Sequence, residues 1–201
     1  MKHLNIVALP RSELPSDTTA LARFLIGKLV VRDTPEGRMT GRIVETEAYL
    51  VGDAACHAFR GLTPRNRSLF LERGHAYVYR AYGTAWMLNV SGGAEGIGEG
   101  VLIRALDPLH GVGLMLRNRP VERVRDLARG PGRLAAALAV DRSLDGVDLC
   151  RKGELWLASD QVPPGPIGVS TRIGITKDAG RKLRFYAKAS PFVSGPRRLI
   201  S

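Results

Sequence analysis

Hydrophobic and polar positions follow two rhythms along this chain, and the switches between them mark its elements. Ala20, Leu21, Phe24 and Leu25 recur at helical spacing behind Asp17, a good helix cap, which predicts a helix over residues 17–27. A shorter period then takes over. Leu29–Arg32 and Met39–Tyr49 read as strands joined by a turn at Thr34-Pro-Glu-Gly37. Gly52–Arg67 reads as a loop, because Pro64 bars a regular helix through it. His75–Tyr82 and Trp86–Val90 predict a hairpin turning at Gly83-Thr84-Ala85. Ser91–Gly100 carries five glycines and reads as a connection, followed by a strand over Gly100–Leu106. Helices are predicted over Leu109–Arg117 and Arg133–Val140, the latter opened by Gly130-Pro-Gly132, whose backbone N–H groups suit an anion. Leu155–Leu157, Thr171–Ile175 and Leu183–Lys188 read as late strands. Strands and helices mixed without a strict βαβ rhythm predict an α+β fold. Pro163-Pro-Gly-Pro166 is the most linker-like segment, but it is short and strands follow it, so residues 1–201 read as a single domain.

Composition narrows the class. The chain has 201 residues and is 44% hydrophobic, enough for one sizeable core. No apolar run approaches the roughly 20 residues of a spanning helix, and the first ten residues are too short and broken for a signal peptide, so a soluble, cytoplasmic protein is expected. Cys56 and Cys150 follow no metal-binding spacing, and neither a structural metal nor a disulfide framework is expected. The net charge is +11, carried by 24 Arg and 6 Lys. That excess favours a polyanionic partner, most simply nucleic acid, and arginine's planar fork suits phosphate.

Candidate chemistry gathers between Arg42 and Asn89. Residues two apart in a strand share a face, so Ile43, Glu45, Glu47 and Tyr49 are expected on one side and Val44, Thr46 and Ala48 on the other. One reading leaves both acids in solvent. The other places one acid in a cleft roofed by Tyr49, where a desolvated glutamate activates water. Two acids roughly 6–7 Å apart along a strand also fit a sugar hydrolase. Tyr77 and Tyr79 share a strand face, with Tyr77 read as core. Tyr82 sits beside the hairpin turn, where an aromatic ring has little packing reason to be and is placed to wedge into a base stack. His57 lies in a loop, with no second ligand at a metal-binding interval. Arg65 and Arg67 flank Asn66 as candidate phosphate contacts, and Cys56 and Trp86 read as packing residues.

At these residues the chain resembles the alkyladenine DNA glycosylase family, also called methylpurine or 3-methyladenine DNA glycosylases. The motifs are Arg42-Ile-Val-Glu-Thr-Glu-Ala-Tyr49, Thr63-Pro-Arg-Asn-Arg67, Tyr77-Val-Tyr79 with Tyr82-Gly83, Asn89, Leu102-Ile-Arg-Ala-Leu106, Gly130-Pro131 and Leu183-Arg-Phe-Tyr186, spread over nearly the whole chain. The resemblance implies one compact α/β domain with a curved antiparallel sheet, flanking helices and a protruding hairpin. It implies a monofunctional enzyme without metal or cofactor, which hydrolyses the bond between a damaged purine and deoxyribose in double-stranded DNA, as a monomer needing no protein partner and associated with the nucleoid. Residue by residue, it implies Glu47 as the base toward water and Arg104 as its partner at the water and the phosphate. Tyr49, His57 and Tyr79 become walls for a flipped purine, Asn89 the reader of its exocyclic position, and the backbone of Ile173 a further water contact. Tyr82 becomes the wedge, and Arg65, Arg67 and Arg133 candidate backbone contacts. Glu45 takes no role, and Glu45→Gln is expected to stay active. The Tyr49–His57 loop is one residue shorter than the vertebrate pattern and Cys56 replaces a smaller residue, so lesion preference does not carry over.

Overall fold

Strand β3, Gly37–Tyr49, is the longest element and the one on which the sheet is assembled. The computed structural model describes residues 6–81, 83–188 and 190–195. Its other strands are β1 (Val7–Ala8), β2 (Leu29–Thr34), β4 (Ala76–Ala81), β5 (Ala85–Ser91), β6 (Gly100–His110), β7 (Leu155–Ser159), β8 (Ile167–Ser170) and β9 (Arg184–Ala187). Three short helices are α1 (Thr18–Phe24), α2 (Val112–Asn118) and α3 (Pro131–Ala137). The strands form one curved antiparallel sheet in the order β1-β7-β2-β3-β6-β5-β4, with β9 joining β3 and β8 joining β9. The α+β expectation holds. Among the described residues no helix is long and apolar enough to cross a membrane.

β3 changes partners along its length. On one edge it pairs with β2 from Gly37 to Arg42 and then with β9 from Glu45 to Glu47; on the other it pairs with β6 from Thr40 to Tyr49. In the β3–β6 ladder Ile43 faces Leu106 and Glu45 faces Ala105, so Val44 is an extra residue; Thr46 then faces Ile103, which leaves Arg104 extra on the other strand. Such an irregularity turns the following side chains to the opposite face. This corrects the simple alternation expected of β3. Ile43 packs in the main core together with Ala48, and Thr46 donates to the carbonyl of Ala22 in α1 at 2.8 Å, while Glu45, Glu47 and Tyr49 face the other way.

The main core lies between the sheet and the helices. Asp17 caps α1 by accepting from the N–H of Ala20 at 2.7 Å, and Leu21, Ala22, Leu25 and Ile26 carry the buried stripe. A second cluster, Leu29, Val31, Trp156 and Ala158, covers the opposite face around β2 and β7. The hairpin forms as expected over β4 and β5, with Tyr79 opposite Met87 and Ala81 opposite Ala85. Gly132 of α3 meets it closely: a Cβ there would lie 2.7 Å from that of Ala85. Gly132 thus serves helix–hairpin packing.

Three expected elements differ. β6 continues through Pro108 to His110, and α2 starts only at Val112. Thr40 faces His110 and Gly41 faces Pro108, so the irregularity sits where the proline cannot donate to the ladder. Thr171–Ile175 is a loop, and the strand is Ile167–Ser170 before it. Gly174 has φ of +77°, a left-handed backbone that breaks extension, and the N–H of Ile173 leaves the ladder for a side chain of β3.

Candidate active site

A cavity of about 470 Å³ opens beside the hairpin. Six of the residues singled out in the sequence line it: Tyr49, His57, Tyr79, Asn89, Arg104 and Ile173. They arrive from β3, the 50–67 loop, β4, β5, β6 and the 171–178 loop, so the site exists only once the whole sheet has formed.

Glu47 lies immediately behind that wall, with 0% of its surface exposed. Its Oε2 accepts from Arg104 Nη1 at 3.1 Å and from the Tyr49 hydroxyl at 2.9 Å, and its Oε1 accepts from the Ile173 N–H at 2.7 Å. Three of its neighbours are therefore cavity residues. Burial raises the pKa of Glu47 above the ordinary carboxylate range; Arg104, the Ile173 N–H and the Tyr49 hydroxyl pull against it, and Glu45 adds to the rise. Burial also pushes the Tyr49 phenol well above its usual range, with Glu47 reinforcing it, so Tyr49 stays a donor. For Arg104, burial disfavours the charge, but Glu47 and Glu45 outweigh it and raise the pKa.

Glu45 is equally buried, which removes the solvent-exposed reading for both acids. Its Oε1 accepts from Arg104 Nε at 3.1 Å and Arg184 Nε at 2.6 Å, and its Oε2 from the Ser194 N–H at 2.6 Å. Arg104 thus bridges the two acids by different edges of one guanidinium.

The aromatic wall is a packed unit. Tyr77 and Tyr79 stack with centroids 5.3 Å apart, and His57 meets Tyr79 edge-on at 4.2 Å. Tyr77 is only 2% exposed, in line with a core reading, but its hydroxyl lies 2.8 Å from His57 Nδ1 and so orients the imidazole. Burial, with Arg65 adding, lowers the pKa of His57 and favours its neutral ring. Asn89 turns Nδ2 toward the carbonyls of Tyr77 and Met87, at 3.0 and 3.5 Å, which turns its Oδ1 the other way. Cys56 is buried against Leu69 and Tyr77, as expected of a packing residue, and burial pushes its thiol up to about 11.

Several supporting residues escaped the sequence reading. Asn66 is buried; its Nδ2 donates to the carbonyls of His57 and Gly61, both at 3.0 Å, and its Oδ1 accepts from the Thr63 N–H at 2.7 Å. It shapes the loop that presents His57, and its amide donates within that loop. Arg172 forms a forked pair with Asp53, donates to the Ala48 carbonyl at 2.9 Å, and lies 4.6 Å from the centre of the Tyr49 ring. Arg184 binds Glu45. A charged residue inside an apolar run was the available signal for Arg172 and Arg184; Asp53 carried none.

The remaining candidates are not in the wall. Arg65, Arg67 and Arg133 are exposed; Arg65 donates to the Arg80 carbonyl at 3.1 Å, and Arg133 is 3.9 Å from Asp126. Tyr82 lies outside the described residues.

An antiparallel α+β domain with an aromatic cavity backed by a buried, arginine-paired glutamate defines a class of site suited to a flat ligand and a water. Comparison with known proteins narrows it further. The family profile described as Methylpurine-DNA glycosylase matches residues 12–191. A protein of Mesorhizobium japonicum named "Putative 3-methyladenine DNA glycosylase" is 75% identical over 191 residues, covering 95% of this chain and 92% of its own. Proteins with the same name from Paraburkholderia phytofirmans and Methanoculleus marisnigri are 53% and 46% identical, over 99% and 94% of this chain and 94% and 99% of their own. The chain belongs to the methylpurine-DNA glycosylase family, and with it to the hydrolases of N-glycosyl bonds.

Proposed function

We propose that this protein removes alkylated purines from double-stranded DNA by hydrolysing their N-glycosidic bond, with Glu47 as the base that activates water. The observation that carries this reading is the contact between Glu47 and three cavity-wall groups: Arg104, the Tyr49 hydroxyl and the Ile173 N–H.

A purine inside a duplex is closed to attack along its glycosidic bond, so the nucleotide flips out at a cost of a few kcal/mol. Tyr82 fills the gap it leaves, a role resting on the Tyr82-Gly83 motif. The flipped base enters the cavity between Tyr49 and the His57–Tyr79 wall. A purine alkylated on a ring nitrogen is cationic, and electron-rich phenol rings attract it. Asn89 meets the edge of the base, and the His57 N–H donates to it.

A carboxylate has about four lone-pair positions, and three of those on Glu47 are taken. The fourth is on Oε1, beside Ile173 at the cavity wall, and there a water donates to it. The backbone of Ile173, held against Glu47 by its N–H, is the further contact to this water. The water oxygen bonds to the sugar carbon as the glycosidic bond breaks. The bonding pair leaves with the base, and the water proton passes to Glu47. The alkyl cation makes the base a good leaving group. Arg104 opposes the rise that burial gives the pKa of Glu47 and, with two of its five N–H donors used, retains others for the flipped nucleotide's phosphate.

Glu47→Gln is expected to bind a lesion duplex and lose excision about 10²- to 10⁴-fold. Release of free base from methylated duplexes under single-turnover conditions tests it, and near-normal release by this variant would sink the assignment.

A further inference from the structure

The two buried acids of β3 are not independent. Glu45 holds Arg104 by Nε, and the same guanidinium reaches Glu47 by Nη1, both at 3.1 Å. The guanidinium is planar and rigid, so fixing its Nε edge fixes the direction of Nη1. Glu45 is itself fastened by Arg184 of β9 and by the Ser194 N–H beyond it, each at 2.6 Å. It therefore has no freedom to release Arg104.

From this geometry we infer that Glu45 is a positioning residue for the excision reaction: it aims Arg104 at Glu47 and divides that arginine's charge between the two acids. The inference rests on the reading of Glu47 as the base. It reverses the expectation that Glu45→Gln stays active.

The charge balance gives this role a signature. Charged or titratable groups face Glu47 from every side: Glu45 and Tyr49 on β3, Arg104 on β6, Arg184 on β9 behind Glu45, and Arg172 behind the Tyr49 ring. Two carboxylates and two guanidiniums balance in the Glu45–Glu47–Arg104–Arg184 cluster. Glu45→Gln leaves two guanidiniums against one carboxylate. Arg104 then belongs to Glu47 alone, and the repulsion Glu45 exerts on Glu47 disappears. Both changes favour ionised Glu47 and carry the acid limb of the excision profile to lower pH. The uncompensated positive charge also disfavours a cationic base more than a neutral one.

The test is single-turnover excision of 7-methylguanine, which is cationic, and hypoxanthine, which is neutral, across acid pH, with Glu45→Gln, Glu45→Asp and Glu47→Gln beside the native protein. Glu45→Gln is expected to lose about 10- to 100-fold in rate, the size of effect a small misplacement produces, with its acid limb displaced downward and the larger loss on 7-methylguanine. Glu45→Asp keeps the charge but withdraws the carboxylate by one methylene, so it loses rate with the acid limb in place and lesion binding intact. That variant decides the matter if Glu45→Gln fails to fold. A native rate in folded Glu45→Asp, or a Glu45→Gln variant slowed equally at every pH and on both bases, overturns the positioning role. If Glu47→Gln is inactive while Glu45→Gln has the native rate and limb, only this inference falls; if Glu47→Gln remains active, the reading of Glu47 falls first.

Discussion

Burial raises the pKa of Glu47, and each polar neighbour leaves a mark on that titration. The Tyr49 hydroxyl lowers the pKa of Glu47 against the larger rise from burial. Tyr49→Phe keeps the ring and deletes that donor, so the pKa of Glu47 climbs further. Since the ionised form takes the proton, excision then fails at higher pH than in the native protein. Single-turnover rates across acid pH are expected to show the limb moved upward at nearly unchanged plateau rate; a limb that stays in place would contradict the Tyr49–Glu47 bond. At this scale the sequence was informative where a motif carried the residue. Strand parity alone could not separate Glu45 from Glu47, because the two share one face and differ only in their partners. The burial of both acids was equally hidden, since their arginine partners come from β6 and β9, about 60 and 140 residues further along the chain.

Among elements, the cavity depends on two loops that nothing in the hydrophobic pattern links. The 50–57 segment supplies Cys56 and His57 to the wall, and the 171–178 segment supplies Ile173 to Lys177. Asp53 joins them through Arg172, and Asp178 accepts from the Ala54 N–H at 2.7 Å. Burial works against the charge on Asp53, and the forked bond from Arg172 outweighs it, holding the carboxyl below its ordinary range. Removing one partner of such a buried pair strands the other charge. Asp53→Asn is therefore expected to destabilise the fold by about 3 kcal/mol in chemical denaturation and to weaken lesion binding together with it. A loss below about 0.5 kcal/mol would show that the loops are held elsewhere. The hairpin, β2, β3 and α1 were legible because each carries its own period or cap. The Thr171–Ile175 segment alternates like a strand and is not one, since its backbone and its arginine are drawn to Glu47 and Asp53. The strand expected to end at Leu106 runs on to His110, because the irregularity opposite Gly41 accommodates Pro108.

For the molecule as a whole, the net charge of +11 sets how it meets a polyanion. Neutralising phosphates releases counterions, so affinity falls linearly on a log–log salt plot, by about 0.9 per contact. If Arg65, Arg67 and Arg133 each meet a phosphate, substituting any one by Gln lowers the slope by about that amount without changing lesion choice. Duplex binding measured from low to moderate salt checks this; an unchanged slope removes that arginine from the interface. The α+β class was readable from rhythm and the curved sheet from the family resemblance, whereas the cavity is a property of the folded sheet, to which eight separate segments contribute. The chemistry turns on one atom pair within it, Oε1 of Glu47 and a water at the Ile173 wall, and a single variant separates binding from turnover there. Glu47→Gln should retain native affinity for a 7-methylguanine duplex and release the base at least about 10²-fold more slowly. Equal affinity with a native release rate would contradict the account.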